Sequence, residues 1–505
     1  MGAGGAASGP DFSQGIALGE IPPDGTLAGR VGDDPVLLSR IGGELFAVGG
    51  ACTHYGGALG DGLIHGDTVR CPLHHACFSL RTGAAHQAPA LDGLDRWRVE
   101  VADGKAFVRT KLDEPPPARA TPDPEVRSVV IVGGGAAGLA CANELRALGY
   151  GGAITMLSAD GDPPCDRPNL SKDYLAGNAP EEWIPLRSGD WYADQAIDLR
   201  LDCEVVAIDT NARRVRTAAG DEFGFDRLLL ATGSDARRLP SPDFDRDNVF
   251  TLRSLADARA LIAAAQEGTR AAIIGSSFIG LETAAALRAR GVEVDVVAPE
   301  AVPFAGVLGP EVGGFLQRLH ERKGVRFHLG QAVAGFDGLA LATESGERIA
   351  ADFVIVGIGA APRLDLARSA GFAMDHGVVV DSAMRTSAPG IFAAGDIALF
   401  PDPATGEPVR IEHWVVAERH GQVAAANMLG IARAFDSTPF FWTEQHGVTV
   451  RYSGHARRWD EVRIDGDLDG GRFAARYLEK GVHRATATVG CDMENLMDAR
   501  ALAEA

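Results

Sequence analysis

Short, strand-like segments rich in apolar residues dominate positions 15–110. PVLLSRI and GELFAVGG contain short apolar runs, RWRVEVADGKAFVRT alternates between apolar and polar residues, and turns rich in Gly and Asp separate these segments. Alternation with a period of about two residues is typical of strands with one buried face. No segment in this part of the chain repeats apolar residues at helical spacing. We therefore expect an all-β domain at residues 1–110.

The pattern changes after the segment KLDEPPPARATPDPE, which is rich in Pro and charge and predicts a linker over residues 111–126. VVIVGGGAAGLACANELRALG then reads as a buried strand, a Gly turn and an Ala/Leu-rich helix. AAIIGSSFIGLETAAALRARGVEVDVVAPE, from Ala271, repeats the same plan. The two segments predict two Rossmann-like α/β nucleotide-binding domains, one formed by residues 127–245 with 360–435 and the other by residues 246–359.

The last part of the chain returns to strand-like segments. GRFAARYLEKGVHRATATVG predicts strands, and the segment MENLMDARALAEA at the C-terminus predicts a short helix. Residues 436–505 are therefore expected to form a C-terminal α+β domain. The whole chain is expected to be a multidomain protein.

Composition and charge narrow the function classes. The chain has 505 residues, of which 46% are hydrophobic, and a formal net charge of −20 without a Lys/Arg run. These features argue against nucleic acid or an anionic membrane as the main partner. Seven cysteines are too few for a secreted disulfide framework. The uncharged first ten residues predict a flexible tail rather than a signal peptide, so we expect a cytoplasmic monomer or homodimer.

Two Cys-and-His pairs flank a short loop in CTHYGGALGDGLIHGDTVRCPLHH. Cys52 and His54 are separated by one residue, and Cys71 and His74 by two, with sixteen residues between the pairs. Zinc binds both ligand types, although its sites more often pair like ligands. A [2Fe–2S] cluster with two thiolates on one iron and two imidazoles on the other fits two mixed pairs. The spacing alone leaves both metals open.

Gly-rich turns mark the two nucleotide units. Gly133, Gly135 and Gly138 form G-x-G-x-x-G around Ala136 and Ala137, between a predicted strand and helix. A tight turn and a backbone close to a pyrophosphate both require Gly. Asp160, after the next strand, is the candidate acidic partner of the ribose. The second unit has Gly275 and Gly280 with Ser277 at the middle position. The alternative for each motif is an ordinary Gly-rich βα turn.

The sequences C-T-H and C-P-L-H resemble the motif of the Rieske family. The resemblance implies that Cys52 and Cys71 bind one iron and that His54 and His74 bind the other. High-potential members of that family have an extra Cys in each loop, and Ser and Tyr hydroxyls near the sulfurs. Those positions are Gly57 or its neighbours, Leu73, Ala76 and Phe78 here, which implies a low-potential, ferredoxin-type cluster. Cys77 is expected in the core, and His75, where the family has Gly, on the surface.

RPNLSK, LLLATGS and IFAAGDIALF resemble the FAD-containing pyridine nucleotide-disulfide reductase superfamily across residues 127–435. The resemblance assigns the first nucleotide unit to FAD and the second to NAD(P)H. Neither C-x₄-C nor C-x-x-C occurs in the chain, so no dithiol relay is expected. PPCDRPNLSKDYLAG and PFFWTEQHG are similar to oxygenase-coupled ferredoxin reductases and to the apoptosis-inducing-factor group. The Rieske motif ahead of them resembles the Rieske-fused members of that group.

The resemblance also implies roles for single residues. Lys172 is expected near flavin N5, paired with the carboxylate of Glu282. The other residues expected to bind the cofactors are Arg167, Val205, Arg253, Asp396, His413, Trp414 and Trp442. Of these, the last three are expected to flank the isoalloxazine or the nicotinamide. Plain core packing is the alternative for each aromatic residue.

The segment VDVVAPEAVPF contains no Arg for a 2′-phosphate, and its Glu300 is a poor neighbour for one. We therefore expect NADH rather than NADPH. NADH delivers two electrons as a hydride, whereas a [2Fe–2S] cluster accepts one, and a flavin converts between them. The expected function is a flavoprotein oxidoreductase that passes electrons from NADH through FAD to its own cluster. An oxygenase or a cytochrome P450 is the expected acceptor. The alternative is an NADH-binding redox sensor with low turnover.

Overall fold

The computed structural model describes residues 9–113 and 122–504. Most of the predicted N-terminal tail and the centre of the predicted linker therefore lie outside the described residues. The linker's first two residues, 111 and 112, belong to a strand. Near its other end, the backbone N–H of Asp123 donates to the carbonyl of Leu429 at 3.1 Å. The linker thus begins inside one domain and ends against the next.

Within residues 9–113 the strands form one sheet of six and one sheet of four. The strands are β1 (Ile16–Ala17), β2 (Gly25–Val31), β3 (Asp34–Ile41), β4 (Glu44–Gly49), β5 (Leu63–His65), β6 (Thr68–Arg70), β7 (Cys77–Ser79), β8 (Ala85–Gln87), β9 (Arg96–Ala102) and β10 (Lys105–Leu112). Their orders are β1-β10-β9-β4-β3-β2 and β5-β6-β7-β8. The helical turns in this range are 3₁₀ turns of three residues at Phe12–Gln14, Leu18–Glu20 and Leu59–Asp61.

Strand β3 lies between two small hydrophobic cores of this domain. It lies between β2 and β4, and its side chains alternate between two buried faces. Leu37 packs with Cys52 and Cys71 on one face. Val36 and Leu38 pack with Trp97 on the other. The two cysteines therefore lie in an apolar core rather than on a loop tip.

The first α/β unit is built on parallel strands. Its first part contains β11 (Ser128–Val132), α1 (Ala136–Ala147), β12 (Ala153–Leu157), α2 (Asp173–Ala176), α3 (Gly189–Asp194), β13 (Ile197–Arg200), β14 (Val205–Asp209), β15 (Arg214–Thr217), β16 (Glu222–Gly224), β17 (Arg227–Leu230) and β18 (Ser234–Ala236). The parallel sheet has the order β13-β12-β11-β17 and is completed by a strand from much later in the chain. Its inner strand β11 is apolar and buried from Val129 to Val132, as expected for a strand covered on both faces.

The second α/β unit is inserted into the first. Its elements are β19 (Val249–Phe250), α4 (Leu255–Ala264), β20 (Arg270–Ile274), α5 (Phe278–Ala289), β21 (Glu293–Ala298), α6 (Ala305–Arg322), β22 (Val325–Leu329), β23 (Val333–Phe336), β24 (Ala340–Thr343), β25 (Arg348–Ala350) and β26 (Phe353–Val356). The parallel sheet has the order β19-β26-β20-β21-β22. Each unit places a helix directly after its central strand, as the Gly motifs predict.

The chain then returns to the first unit. It forms β27 (Ala360–Pro362), α7 (Asp365–Ser369), β28 (Val378–Val379), β29 (Ile391–Ala393), β30 (Ala398–Pro401), β31 (Pro408–Val409) and α8 (Trp414–Met428). Strand β29 joins the first parallel sheet beside β17. Helix α8 lies so close to α1 that a Cβ at Gly421 would be 2.2 Å from the Ala137 carbonyl oxygen. This contact fixes the position of α1, whose N-terminus follows the turn of the first Gly motif.

The C-terminal part is a five-stranded antiparallel sheet with a helix. It contains β32 (Phe440–Gln445), β33 (Val448–Gly454), β34 (Glu461–Asp467), β35 (Arg472–Glu479), β36 (Val482–Val489) and α9 (Asp492–Glu504), in the order β32-β33-β36-β35-β34. Edge strand β32 alternates, so Thr443 and Gln445 lie on one face and Trp442 on the other. Both faces of this strand contact the functional site.

Helix length gives no indication of a membrane span. Helix α6, with 18 residues, is kinked at Gly309 and Pro310, since a Pro inside a helix removes one backbone hydrogen bond. Among the residues that the structure describes, no helix has both the length and the apolar character needed to cross a bilayer.

Candidate active site

The two predicted metal-binding segments form loops with the same hydrogen-bond pattern. The Cys52 N–H donates to the Gly57 carbonyl at 2.8 Å, and the Cys71 N–H donates to the Ala76 carbonyl at 2.9 Å. Each Cys is thus joined to the residue five positions later. A Cβ at Gly57 would lie 2.9 Å from the Cys71 sulfur, so a glycine lets the two loops approach each other.

The four predicted metal ligands come together at the ends of these loops. Nδ1 of His54 lies 3.2 Å from Nδ1 of His74. The hydrogen bond between the two thiols, with the N–H groups of Leu73 and His74, lowers the pKa of Cys71, while the same bond and burial raise the pKa of Cys52. Burial lowers the pKa of His54 to about 3 and that of His74 well below its ordinary value. Neutral imidazoles and thiolates are the forms that bind metal, so the donor set fits a cluster held by two Cys and two His.

The interior around these loops is apolar. Ala76 and Phe78 are fully buried and contribute no hydroxyl, and Cys77 is buried beside them. Burial raises the pKa of the Cys77 thiol, which agrees with its expected place in the core. The low potential that these residues imply stays a prediction.

The prediction that His75 lies on the surface is wrong. His75 is 2% exposed, and its ring stacks on Phe440 of β32 at 4.1 Å between ring centroids. Its φ of +62° lies in the left-handed region that favours Gly. His75 adopts this left-handed backbone conformation, and its imidazole packs against the C-terminal sheet. No local sequence pattern shows that another domain covers this position.

A cavity of about 1150 Å³ opens at the N-terminus of α1 and runs between the two α/β units. Predicted residues that line it are Gly133, Gly135, Ala136, Ala137, Asp160, Arg167, Lys172, Val205, Arg253, Glu282, Asp396, His413, Trp414 and Trp442. Gly138 lies behind the loop, where a Cβ would be 2.0 Å from the Gly133 carbonyl oxygen. At Gly133, φ is +117° and a Cβ would be 2.1 Å from the Ala231 carbonyl oxygen. Only glycine fits at these two positions.

Polar groups inside the cavity suit a dinucleotide. Arg167 pairs with Asp160 at 2.9 Å, and Arg253 pairs with Asp396 at 2.6 Å. Nδ1 of His413 is buried, and no described residue hydrogen-bonds to it. The Gly loop begins a helix whose N-terminal N–H groups favour a phosphate. The residues therefore fit FAD, the group that the motifs imply.

Lys172 and Glu282 meet at this cavity although they are far apart in sequence. Nζ of Lys172 lies 2.7 Å from Oε2 of Glu282 and 3.1 Å from the Pro168 carbonyl oxygen. Ser171 and Thr443 also donate hydrogen bonds to the Glu282 carboxylate. The pair is mostly buried, so each charge is held by a direct partner rather than by water.

The two glycines of the second motif, Gly275 and Gly280, are not among the residues that line the cavity. A Cβ at Gly275 would be 2.3 Å from the Gly357 carbonyl oxygen, and one at Gly280 would be 2.3 Å from that of Gly275. Ser277, at the start of α5, lines the cavity. Glu300, just past the end of β21, is exposed, with Oε2 3.5 Å from Oγ of Ser276. Asp160 likewise follows the second strand of its unit, but it lines the cavity and pairs with Arg167, whereas Glu300 does not line the cavity.

Trp442 joins the cavity to the cluster loops. It lines the cavity, and its ring lies 4.1 Å from the His74 ring and 6.2 Å from the His54 ring, measured between centroids. The sequence predicts only its place beside a flavin or nicotinamide. Its contact with the predicted metal ligands depends on how the N-terminal and C-terminal domains dock.

Several residues at this domain contact were not predicted. Tyr55, stacked on His54, donates to the Asp166 carboxylate. Burial raises the pKa of Asp166, and raises that of Glu418 still further above its ordinary value. Arg451 donates to the Leu73 carbonyl at 2.9 Å. The motif CDRPNLSK gave a signal only for Asp166, because the other contacts join distant segments.

Comparison with known proteins agrees with this arrangement. Residues 127–421 match the family described as pyridine nucleotide-disulphide oxidoreductase. The chain belongs to this family. Residues 16–98 match the Rieske [2Fe–2S] domain, and residues 440–505 match the reductase C-terminal domain. The predicted order of a Rieske β domain, an α/β region and a C-terminal domain is confirmed.

Individual relatives cover much of the chain. Apoptosis-inducing factor 3 of Homo sapiens is 34% identical over 482 residues, which span 92% of this chain and 79% of the relative. The anthranilate 1,2-dioxygenase system ferredoxin–NAD(+) reductase component of Burkholderia cepacia is 39% identical over 350 residues, or 68% of this chain and 86% of the relative. A crystal structure of the covalent putidaredoxin reductase–putidaredoxin complex gives a TM-score of 0.73 at 34% identity, covering 75% of this chain and 93% of that chain.

Together these matches confirm the family predicted from the motifs. The protein is an NAD(P)H-dependent oxidoreductase that uses FAD and, in its N-terminal domain, a Rieske [2Fe–2S] cluster. The choice between the two nicotinamide nucleotides and the path of the electrons depend on the residues of this chain.

Proposed function

We propose that this protein passes electrons from NADH through FAD to its own Rieske cluster and then to an acceptor protein. One observation carries the proposal: Trp442 lines the cavity that fits FAD and contacts His74, a predicted ligand of the cluster. FAD accepts a hydride as an electron pair and releases single electrons, which a [2Fe–2S] cluster takes one at a time.

The two parallel sheets divide the nucleotides between them. The first unit holds FAD, with the pyrophosphate at the Gly133 loop and the ribityl chain beside Asp396. The second unit holds NADH, with the ribose hydroxyls beside Glu300. The cavity runs from the first unit to Ser277 and Phe278 at the start of α5 in the second. Both nucleotides can therefore reach the same enclosed space.

Lys172 supports hydride transfer by its charge. Its ammonium faces the cavity and is held by Glu282. A fixed cation beside the reacting ring stabilises the negative charge that develops when the hydride arrives. Because the pair is preorganised and mostly buried, little reorganisation is needed during the reaction.

Domain contacts hold the cluster loops against the cavity. Tyr55 donates to Asp166, and Arg451 donates to the Leu73 carbonyl, so each loop is fastened to a different domain. Arg419 donates to the carbonyls of Ala88 and His75 at 3.2 and 3.3 Å. These contacts keep the His edge of the cluster site next to Trp442, where electrons arrive.

The relatives indicate the kind of acceptor. Their names describe a reductase of a dioxygenase system and a reductase bound to putidaredoxin. We propose an oxygenase or a cytochrome P450 system as the destination of the electrons. The net charge of −20 favours a partner with a basic docking face.

An anaerobic titration with NADH tests the proposed function. We expect the flavin absorbance to bleach and the electron paramagnetic resonance (EPR) signal of a reduced Rieske cluster to appear in the same sample. Steady-state reduction of cytochrome c by NADH then separates an electron-transfer enzyme from a redox sensor with low turnover. A flavin that is reduced while the cluster stays oxidised contradicts the proposal.

Nucleotide preference is a second prediction. We expect NADH to give a higher kcat/KM than NADPH, because Glu300 stands where a 2′-phosphate would lie. Two like charges at this position cost at least about 1.4 kcal/mol, or about tenfold in kcat/KM. Glu300→Gln is the matched variant, because it removes the charge at nearly equal size. It should lower the ratio of kcat/KM for NADH to kcat/KM for NADPH. A preference of the natural protein for NADPH would refute the assignment.

A further inference from the structure

A line of hydrogen bonds runs from the Lys172–Glu282 pair along one face of β32 to His446, in the turn between β32 and β33. Oγ1 of Thr443 donates to Oε1 of Glu282 at 2.6 Å, and Nε2 of Gln445 donates to Oγ1 of Thr443 at 3.1 Å. Oε1 of Gln445 lies 2.8 Å from Nε2 of His320. Nδ1 of His320 lies 3.2 Å from Nε2 of His446. Four links thus join the site of hydride transfer to a half-buried histidine.

The direction of every link follows from the carboxylate. Glu282, ionised in its pair with Lys172, only accepts hydrogen bonds, so the single Thr443 hydroxyl proton must point at it. Thr443 can then only accept from Gln445, which presents the amide NH₂ group to Thr443 and its oxygen to His320. His320 must therefore donate from Nε2. Burial lowers the pKa of His320 to about 4, so its ring is neutral near pH 7 and its Nδ1 accepts from His446.

The inner residues of this line are buried, and the line joins three domains. Thr443 and His320 are fully buried, and Gln445 is 1% exposed. Glu282 belongs to α5, His320 to the last turn of α6, and Lys172 to the first α/β unit. A buried polar chain with all its hydrogen bonds made has few alternative arrangements. A buried charge needs such partners to remain in place.

We infer that Thr443, Gln445 and His320 are positioning residues for hydride transfer, acting through Glu282 to hold Lys172 at the reacting ring. The inference rests on the proposed function and extends it to the C-terminal domain. Strand β32 thus serves both redox centres, with Trp442 towards the cluster and Thr443 towards Glu282. The strand's alternation places these two neighbouring side chains on opposite faces.

Thr443→Val tests the inference, because it removes the hydroxyl and keeps the shape. We expect flavin reduction by NADH, followed by stopped flow, to slow about tenfold, the order expected for losing one hydrogen bond to a charged group. Thr443→Ser restores the donor and should return the rate to within about twofold of the natural protein. The effect should fall on the reduction rate rather than on the apparent Kd for NADH.

Thr488→Val is the matched control. Thr488 lies in the same sheet and is fully buried, and no described residue hydrogen-bonds to its hydroxyl. We expect this variant to reduce its flavin at the natural rate. Equal rates in Thr443→Val and Thr488→Val would overturn the inference.

A double-mutant cycle separates positioning from general damage. If Thr443 acts through Lys172, then Thr443→Val adds less than about twofold to the effect of Lys172→Ala. Fully additive effects would overturn the inference. The proposed function is tested separately, and it fails if NADH does not reduce the cluster of the natural protein. The flavin-reduction rates of the variants do not depend on that result.

The tautomer of His320 gives a readout independent of activity. Nuclear magnetic resonance of ¹⁵N-histidine-labelled protein, with His320→Gln to assign the signal, should show a proton on Nε2 and none on Nδ1 at pH 7. Thr443→Ser should leave this pattern unchanged. A proton on Nδ1 of His320 would break the deduced direction of the line and overturn the inference.

Discussion

Cys71→Ala is expected to abolish the Rieske cluster and leave the flavin in place. The natural protein should contain iron and acid-labile sulfide in equal amounts, and the variant should contain neither. Each iron of such a cluster depends on two protein ligands, and the variant leaves Cys52 as the only thiolate of its pair. FAD content should stay near normal, because the cavity lies in another domain. NADH should still bleach the flavin, but no reduced-cluster EPR signal should appear.

Cys77→Ala is the matched control for this experiment. Cys77 is also buried in the N-terminal domain, but it lies in β7, outside the two loops that hold the predicted ligands. We expect it to keep the cluster and the EPR signal. Zinc in place of iron in the natural protein, or an intact cluster in Cys71→Ala, would contradict the assignment of the ligands. His74→Cys should change or remove the EPR signal while FAD stays bound.

Lys172→Ala is expected to slow flavin reduction by NADH about a hundredfold. One preorganised electrostatic contact to a developing charge is typically worth about 3 kcal/mol in a site that excludes water. Lys172 is preorganised in this sense, because its Nζ lies 2.7 Å from Oε2 of Glu282. Stopped-flow absorbance at the flavin band gives the rate. Dithionite should still reduce the cluster, because neither Lys172 nor Glu282 is a predicted ligand of it.

Two further variants make this result specific. Glu282→Gln should slow reduction less than Lys172→Ala, because it loosens the ammonium without removing it. Lys323→Ala removes an exposed lysine at the end of α6 and should have no effect. An exposed ion pair is worth under about 1 kcal/mol. A natural rate in Lys172→Ala would therefore assign Lys172 to the structure rather than to catalysis.

The cluster ligands and the Gly turns could be predicted from the sequence because each depends on residues within one short segment. Cys52 with His54, and Cys71 with His74, each lie within one loop, and the identity of these residues limits the chemistry. Gly133 and Gly138 are required by contacts within one strand–turn–helix unit. The strand-like segments PVLLSRI, GELFAVGG and RWRVEVADGKAFVRT likewise predicted β3, β4, β9 and β10.

Other features required the docked domains. His75 was expected on the surface, yet Phe440, 365 positions later in the chain, covers it. Tyr55 reaches Asp166 across 111 positions, and Thr443 reaches Glu282 across 161. No periodicity or spacing in the sequence encodes such pairs, because each half reads as an ordinary buried or surface residue.

The segment FFWTEQHG shows which features the sequence determined and which only the tertiary structure decided. Its resemblance to oxygenase-coupled ferredoxin reductases predicted that Trp442 lies in the cofactor region, because such a motif is contained within one segment. Only the tertiary structure decided that Trp442 meets the cluster histidines while Thr443 and Gln445 reach Glu282 and His320. A strand's period sets which side chains share a face. What each face touches depends on the packing of domains whose contacting residues are more than a hundred positions apart.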